Sequence, residues 1–427
     1  MKFLSTLIIL ICFKLIIFAQ NPNQLTHEIS KLLAEVPAST RMAVLIYNPL
    51  TEDTIISINH TQTMIPASNT KLFTSATALE LMGGDYLIAT KILADAEPED
   101  GIINGNIYIK GFGNPTFTSD ELDDLVNQLY ESGLRKITGK VIGDDTYFDN
   151  VYSRDDWIND ERANVNLPPI SAIVIDRNRT IVTKKRKGKY RNYFVNVDNP
   201  PLFTAKMLKK KLSDRGIQIG EGVISSKTPD STVTLAESVI KLRELIELIN
   251  KNSDNFYAEC LFKNLGAVYS GEQGNSFFST QAILSYIEDA GIYSTGTKIV
   301  DGSGISRFDQ VTAGALVGLL EKMYFNINKF DDFLNSLSIA GVDGTLHKRM
   351  IGTGAENNFR GKTGTLNGVS SISGYVTNGD DDDIIVCIMF EFTKGGANNY
   401  KRIQDKIIEA IAAWKNKNPD DNSSGLQ

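Results

Sequence analysis

Three stretches near the C-terminal end restrict the fold more than any other part of the chain. Asn358 to Thr365, Val369 to Thr377 and Ile384 to Phe392 read as consecutive strands separated by short turns, and Asp380 to Asp383 occupy the last turn. Asn399 to Trp414 follows with helical periodicity as an amphipathic closing helix. The opposite end mirrors this: an amphipathic helix over Gln24 to Val36, then strands Met42 to Tyr47 and Thr54 to Ile58 joined by a turn at Asn48 to Asp53. Short turns between sequential strands make antiparallel pairs. The pattern predicts an α/β (α+β) fold in which an antiparallel sheet is flanked by helices from both chain ends.

The middle of the chain interrupts that plan. From about Thr90 a second α/β module is expected. It has a strand at Gly105 to Lys110, a loop at Gly111 to Pro115, a capping box Thr118-x-x-Glu121 opening a helix that stops at Gly133, and a strand and turn at Val141 to Asp145. Between Arg177 and Arg191 lie eight basic residues and no acidic one, flanked by Thr180 to Thr183 and Tyr193 to Val197. This reads as a hairpin with a charged tip, either simply solvated or facing an anionic wall or membrane surface. Val233 to Tyr269 is expected to be mostly helical, with further helices at Ser276 to Ala290 and Phe308 to Tyr324 and a tight loop at Asp301 to Gly304. The expected division is a signal peptide at 1–19, one domain built from 20–90 and 233–418, the inserted module at 91–232, and a disordered tail at 419–427.

The first residues give the destination. Met1-Lys2 is a short basic start, Phe3 to Phe18 is apolar apart from Ser5, Thr6 and Lys14, and Ala19-Gln20 follows. That is the pattern of a cleaved secretory signal, too short and too broken by Lys14 to span a bilayer. The mature chain is therefore expected outside the inner membrane, in the periplasm. Loss of Lys2 and Lys14 takes the formal charge from −7 to −9, which argues against nucleic acid as a partner. Cys260 and Cys387 remain, in apolar segments that favour buried free thiols.

The chemistry is expected at Ser68. Ser68 precedes Lys71 by three residues at the start of a helical pattern ending near Gly83-Gly84, so both side chains share a face. A serine is a poor nucleophile until a neighbouring base takes its proton. The spacing alone is weak, since Ser238 and Lys241 repeat it, and an N-cap serine beside a solvated lysine would read the same. Ser253-x-Asn255 at the start of a helical run and Lys362-Thr363-Gly364 on the first closing strand make the case; Ser57 and Asn59 repeat the former, but the latter occurs once. Together, in this order, they are the trio shared by class A β-lactamases and penicillin-binding proteins.

The chain resembles the class C low-molecular-mass penicillin-binding proteins, the D-alanyl-D-alanine carboxypeptidase/endopeptidase family. The resemblance extends to Gly111–Thr116, Ile137–Asp145, Asp301–Arg307, Ala340–Leu346 and Gly361–Leu366, and so covers nearly the whole mature chain. It departs in one respect: 185 residues separate Ser68 from Ser253, fewer than the family usually has, so its innermost insert is expected to be reduced here. The resemblance implies a β-lactamase/DD-peptidase-like fold, peptidoglycan stem peptides as substrates and β-lactam antibiotics as covalent ligands. It implies Ser68 as nucleophile, Lys71 as base, Lys362 as the second cation that lowers Lys71, and Ser253 as the hydroxyl bridging the lysines. Asn255 would hold the substrate amide, while Lys362, Thr363 and Thr365, with Gly364 between them, would meet its terminal carboxylate. The N–H groups of Ser68 and Thr365 would form the oxyanion hole. Asp145, in an I-G-D-D-T turn, would meet the amine of a diamino acid in the substrate, although a turn aspartate reads the same way.

Other chemistries find little support. With His27, His60 and His347 as the only histidines and no G-x-S-x-G elbow, a Ser-His-Asp hydrolase is not expected. Without H-E-x-x-H or C-x-x-C, no metal and no cofactor is expected. A β-lactamase and a non-catalytic wall-binding scaffold are the alternative readings; the first lacks a recognisable deacylating glutamate, and the second leaves the intact trio unexplained.

Overall fold

The closing strand Asp383–Glu391 organises the molecule. Its run Ile384 to Phe390 is buried on both faces, as a strand covered on both sides must be. In the computed structural model, which describes residues 24–157, 167–186 and 188–415, it lies fourth in a six-stranded sheet. The order is Ser338–Ile339, Arg360–Leu366, Val369–Thr377, Asp383–Glu391, Arg41–Asn48 and Asp53–Ile58, with every neighbouring pair antiparallel. The two ends of the chain meet here, Arg41 opposite Glu391 and Tyr47 opposite Ile385. The signal peptide expected at 1–19 and the tail expected at 419–427 lie outside the described residues.

Alternation along the strands assigns the two faces. Ile384, Val386, Ile388 and Phe390 pack against the helices Gln24–Ala34 and Ala397–Ala413. Ile385, Cys387 and Met389 face a second core shared with the helices Thr70–Met82, Leu242–Asn252, Asn255–Ser270, Ser276–Asp289 and Ala313–Tyr324. Each fully buried side chain of this size contributes about 1.5–3 kcal/mol. Cys260 and Cys387 are buried free thiols.

A second, mixed sheet is ordered Val223–Ser225, Val141–Asp144, Ile107–Gly111, Leu87–Ala94 and Val233–Lys241. The helices Ser119–Glu131 and Pro200–Asp214 bury Leu122, Leu125, Leu208 and Leu212 against it. Thr118 caps the first helix: its hydroxyl accepts from Glu121 N at 3.2 Å, and the Glu121 carboxylate accepts from Thr118 N at 2.8 Å.

Two expectations about local structure fail. Val233–Lys241 is a strand, not part of a helix. Its V-T-L-A-E-S-V-I-K alternation suits a half-buried edge, and it pairs with Leu87–Ala94 from Val233 opposite Ala94 to Lys241 opposite Leu87. Leu87–Ala94 straddles the expected boundary at 90/91, and Val233–Lys241 begins at the one at 232/233. Phe308 to Val311 is not helical either; Val311 bridges to Met64, and the helix starts at Ala313 behind Thr312, whose hydroxyl accepts from Ala315 N at 2.9 Å.

Candidate active site

Ser68 sits on a 3₁₀ turn, Ala67–Asn69, that leads directly into the helix Thr70–Met82. The cap positions of the turn and of the helix are Pro66 and Asn69, not Ser68. Ala67 before it is held at φ +49°, a left-handed conformation that costs a residue with a Cβ and persists only where the surroundings impose it. Here the surroundings do. Asn69 Nδ2 donates to Ser371 Oγ at 2.6 Å, and Ser371 Oγ donates to the Pro66 carbonyl at 2.7 Å. Gly304 and Gly364 approach so closely that a Cβ on the first would collide with the Ala67 carbonyl, and one on the second would lie 2.7 Å from the Pro66 oxygen.

One turn on, Lys71 is fully buried. Its ammonium has three hydrogens and three acceptors: Ser68 Oγ at 3.0 Å, Asn255 Oδ1 at 2.7 Å and the Ser303 carbonyl at 2.5 Å. Burial pulls the amine down to about 8, against the opposing pull of Asp301, Glu259, Asp254 and Asp309. Lys362, also fully buried, has its Nζ 3.0 Å from the Thr363 carbonyl. Burial and then the charge of Lys71 hold it well below the usual lysine range. The two amines disfavour each other's charge, and the carboxylates of Asp301, Glu259, Asp254 and Asp309 act to keep Lys71 protonated.

Ser253 does not begin a helix. It is the left-handed link, φ +53°, between the helices Leu242–Asn252 and Asn255–Ser270. Asp254 caps the second of these, accepting from Tyr257 N at 3.0 Å, and so sets the direction of Asn255. Among the described residues no hydrogen bond joins Ser253 Oγ to either lysine.

Ser68, Asn255 and Thr365 line one open cavity of about 540 Å³, together with Gly304, Phe392 and Gly395. Lys362, Thr363 and Gly364 form the strand behind it; Thr363 is buried, and its hydroxyl donates to Thr345 Oγ1 at 2.8 Å. Asp145 lies outside this lining. Its Oδ2 accepts from Tyr152 Oη at 2.7 Å and Ser171 Oγ at 2.9 Å.

The sequence reading missed the buried acids beneath Lys71. Asp301 accepts from the N–H groups of Ser303, Gly304 and Ser306 and from Trp157 Nε1, fixing the loop whose carbonyl receives Lys71. Glu259 accepts from Gly302 N and Ser303 N, and burial pushes it up to about 8. Asp309 accepts from Val300 N and Thr70 Oγ1. Only Asp301 had a signal, the D-G-S-G loop; Glu259 looked like one more residue of an apolar helix.

A serine hydroxyl on a buried amine, opening to a cavity edged by a strand, is the arrangement of a serine–lysine acyl-transfer site. The sequence pattern of the D-Ala-D-Ala carboxypeptidase 3 (S13) family matches residues 25–193 and 185–417, and the chain belongs to that family. A D-alanyl-D-alanine carboxypeptidase of Actinomadura sp. (strain R39) is 26% identical over 92% of this chain and 85% of its own. The D-alanyl-D-alanine carboxypeptidase DacB of Haemophilus influenzae is 24% identical over 84% of this chain and 86% of its own. In fold, the chain is similar to penicillin-binding protein 4 of Haemophilus influenzae, with TM-score 0.78, 21% identity and coverage of 90% of this chain and 99% of that one. A predatory peptidoglycan endopeptidase of Bdellovibrio bacteriovorus follows at TM-score 0.54 and 15% identity, over 88% and 96%. The fold is the β-lactamase/DD-peptidase-like one the sequence implied.

Proposed function

We infer that this chain is a serine DD-peptidase that removes the terminal D-alanine of peptidoglycan stem peptides or cuts their D-amino-acid cross-links, and that it binds penicillins covalently. The observation that carries this is the Lys71 amine, buried, brought down to about 8 and 3.0 Å from Ser68 Oγ at the cavity floor. In the neutral form Lys71 takes the Ser68 proton as Oγ bonds to the peptide carbonyl carbon. The N–H groups of Ser68 and Thr365 receive the oxyanion. The C–N bond then breaks as Ser253 gives its hydroxyl proton to the leaving amine and takes the proton held by Lys71 in its place, which leaves Lys71 neutral and an ester on Ser68. Water, giving its proton to Lys71, hydrolyses the ester and restores the serine. Asn255 holds both Lys71 and the substrate amide, and Lys362, Thr363 and Thr365 answer the terminal carboxylate.

Asp145 meets the amine of the stem peptide's diamino acid; both of its side-chain hydrogen bonds fall on Oδ2. Residues 91–232 act as an inserted domain between two halves of the catalytic one. The chain is exported by the cleaved segment 1–19 and works in the periplasm; no helix among the described residues is long and apolar enough to cross a membrane. Contact of the basic hairpin with an anionic wall or membrane surface belongs to the same reading.

Intact-protein mass after incubation with a penicillin, alongside D-alanine release from a model peptide, tests the reading. A stable increase of one penicillin per chain on the Ser68 peptide, with D-alanine release, is expected. Rapid penicillin turnover without an accumulated adduct would move the reading to a β-lactamase.

A further inference from the structure

The hairpin formed by Arg179–Arg186 and Lys189–Asn196 is a two-stranded sheet of its own, paired from Arg179 opposite Asn196 to Arg186 opposite Lys189. Such a hairpin gains little from self-pairing, yet this one carries seven basic residues and no acidic one, on a chain whose net charge is −7. Lys184, Lys185, Arg186, Lys189 and Arg191 are exposed and form no ion pair among the described residues.

The register sorts the side chains onto two faces. On one, Ile181 lies opposite Phe194, Thr183 opposite Asn192 and Lys185 opposite Tyr190. Two of these pairs touch across the strands: Thr183 Oγ1 donates to Asn192 Oδ1 at 2.8 Å, and Lys185 Nζ stands 5.7 Å from the Tyr190 ring centre. This face leaves Ile181, Tyr190 and Phe194 at 55%, 72% and 74% exposure among the described residues. On the other face, toward the tip, are Lys184, Arg186, Lys189 and Arg191.

We propose that this hairpin docks the enzyme on the surface of an anionic phospholipid bilayer. The charge alone would suit any polyanion. The apolar face decides between them: an acidic wall polymer offers nothing to three exposed apolar side chains, whereas a hairpin that dips into the headgroup boundary of a bilayer sets its aromatic and aliphatic groups there while the basic side chains of its opposite face answer lipid phosphate. A peripheral attachment of this kind adds to the peptidase reading and does not depend on it.

Flotation of the mature chain with vesicles tests the proposal. Vesicles of phosphatidylcholine and phosphatidylglycerol in equal parts should carry the protein, and phosphatidylcholine alone should not. Raising NaCl to about 0.5 M should release it. The quadruple variant K184E/R186E/K189E/R191E should lose at least about a hundredfold in partitioning. The double variant I181S/F194S, with its charge intact, should lose about tenfold. Penicillin labelling at the wild-type rate would show that both variants are folded. Phe194→Trp should show a blue shift of its emission on mixed vesicles. Full retention by I181S/F194S, equal binding to both vesicle types, or binding to isolated wall polymer through the same lysines with none to vesicles would overturn the proposal.

Discussion

Arg177 holds Asp254 with both terminal nitrogens, Nη1 to Oδ2 at 2.8 Å and Nη2 to Oδ1 at 3.0 Å. This fork ties the root of the basic hairpin to the link between Ser253 and Asn255. The guanidinium also lies over Phe256 and Tyr257, 5.0 and 4.6 Å from their ring centres. Three successive left-handed residues, Asp176, Arg177 and Asn178, aim it there. Asp254 is thus fixed from one side by Arg177 and from the other by the helix it caps. Arg177→Ala should slow penicillin acylation about tenfold, since a small misplacement of Asn255 and Ser253 is felt at the reacting atoms. The half-buried pair should contribute only about 1 kcal/mol to stability. Arg177→Lys should rescue little, because a point charge cannot make the fork. An unchanged acylation rate with a lowered Tm would reduce Arg177 to a purely structural role.

Removing the nucleophile and the base separates their roles. Ser68→Ala should abolish both the penicillin adduct and D-alanine release. Lys71→Ala should cut acylation by at least about a hundredfold with the hydroxyl still present. Ser238→Ala should change neither. On a strand a spacing of three puts Ser238 and Lys241 on opposite faces, and they bond elsewhere: Ser238 Oγ to Glu121 at 2.9 Å and Lys241 Nζ to Asp85 at 3.2 Å. Peptide mapping of the labelled chain reads all three outcomes, and label on Ser238 would end the assignment.

The pH profile of acylation should report Lys71. Only the neutral amine accepts a proton, so the rate should rise about tenfold per pH unit below about 8 and level off above it. Asp301 does most among the neighbouring acids to keep Lys71 protonated. Neutralising it in Asp301→Asn should move the rising limb to lower pH, and an unmoved limb would show that Asp301 does not act on Lys71.

Glu259 sets a stability trend. Its folded value, about 8, lies above the ordinary 4.5, so the fold prefers the protonated acid. That contribution is complete below about 4.5 and is lost as pH rises through about 8. Glu259→Gln is neutral at every pH, so its Tm relative to wild type should climb between those limits. A constant difference across the range would contradict it.

Asp145→Ala should raise KM about tenfold for a stem peptide carrying a free side-chain amine, the loss of one charge-assisted contact, and leave a peptide without that amine unchanged. Equal losses on both peptides would assign Asp145 to holding Tyr152 and Ser171 instead.

Much of this could be read along the chain, for a physical reason. Elements built from neighbours in sequence carry their own signals: the Thr118–Glu121 capping box, the three closing strands, the basic hairpin, and Ser68 one turn before Lys71. The errors fell where distant partners decide. Val233–Lys241 is a strand because Leu87–Ala94 offers it an edge. Val311 is not helical because it bridges to Met64. The sequence by itself determined which residues could do the chemistry, because nucleophile, base and glycine-lined strand are fixed by residue type and local spacing. Only the tertiary structure decided their charge. Lys71 is buried among Glu259, Asp301 and Asp309, while Lys362 is buried within reach of the charge of Lys71. The dielectric and the neighbours around a buried amine come from segments hundreds of residues apart, and no local pattern encodes them.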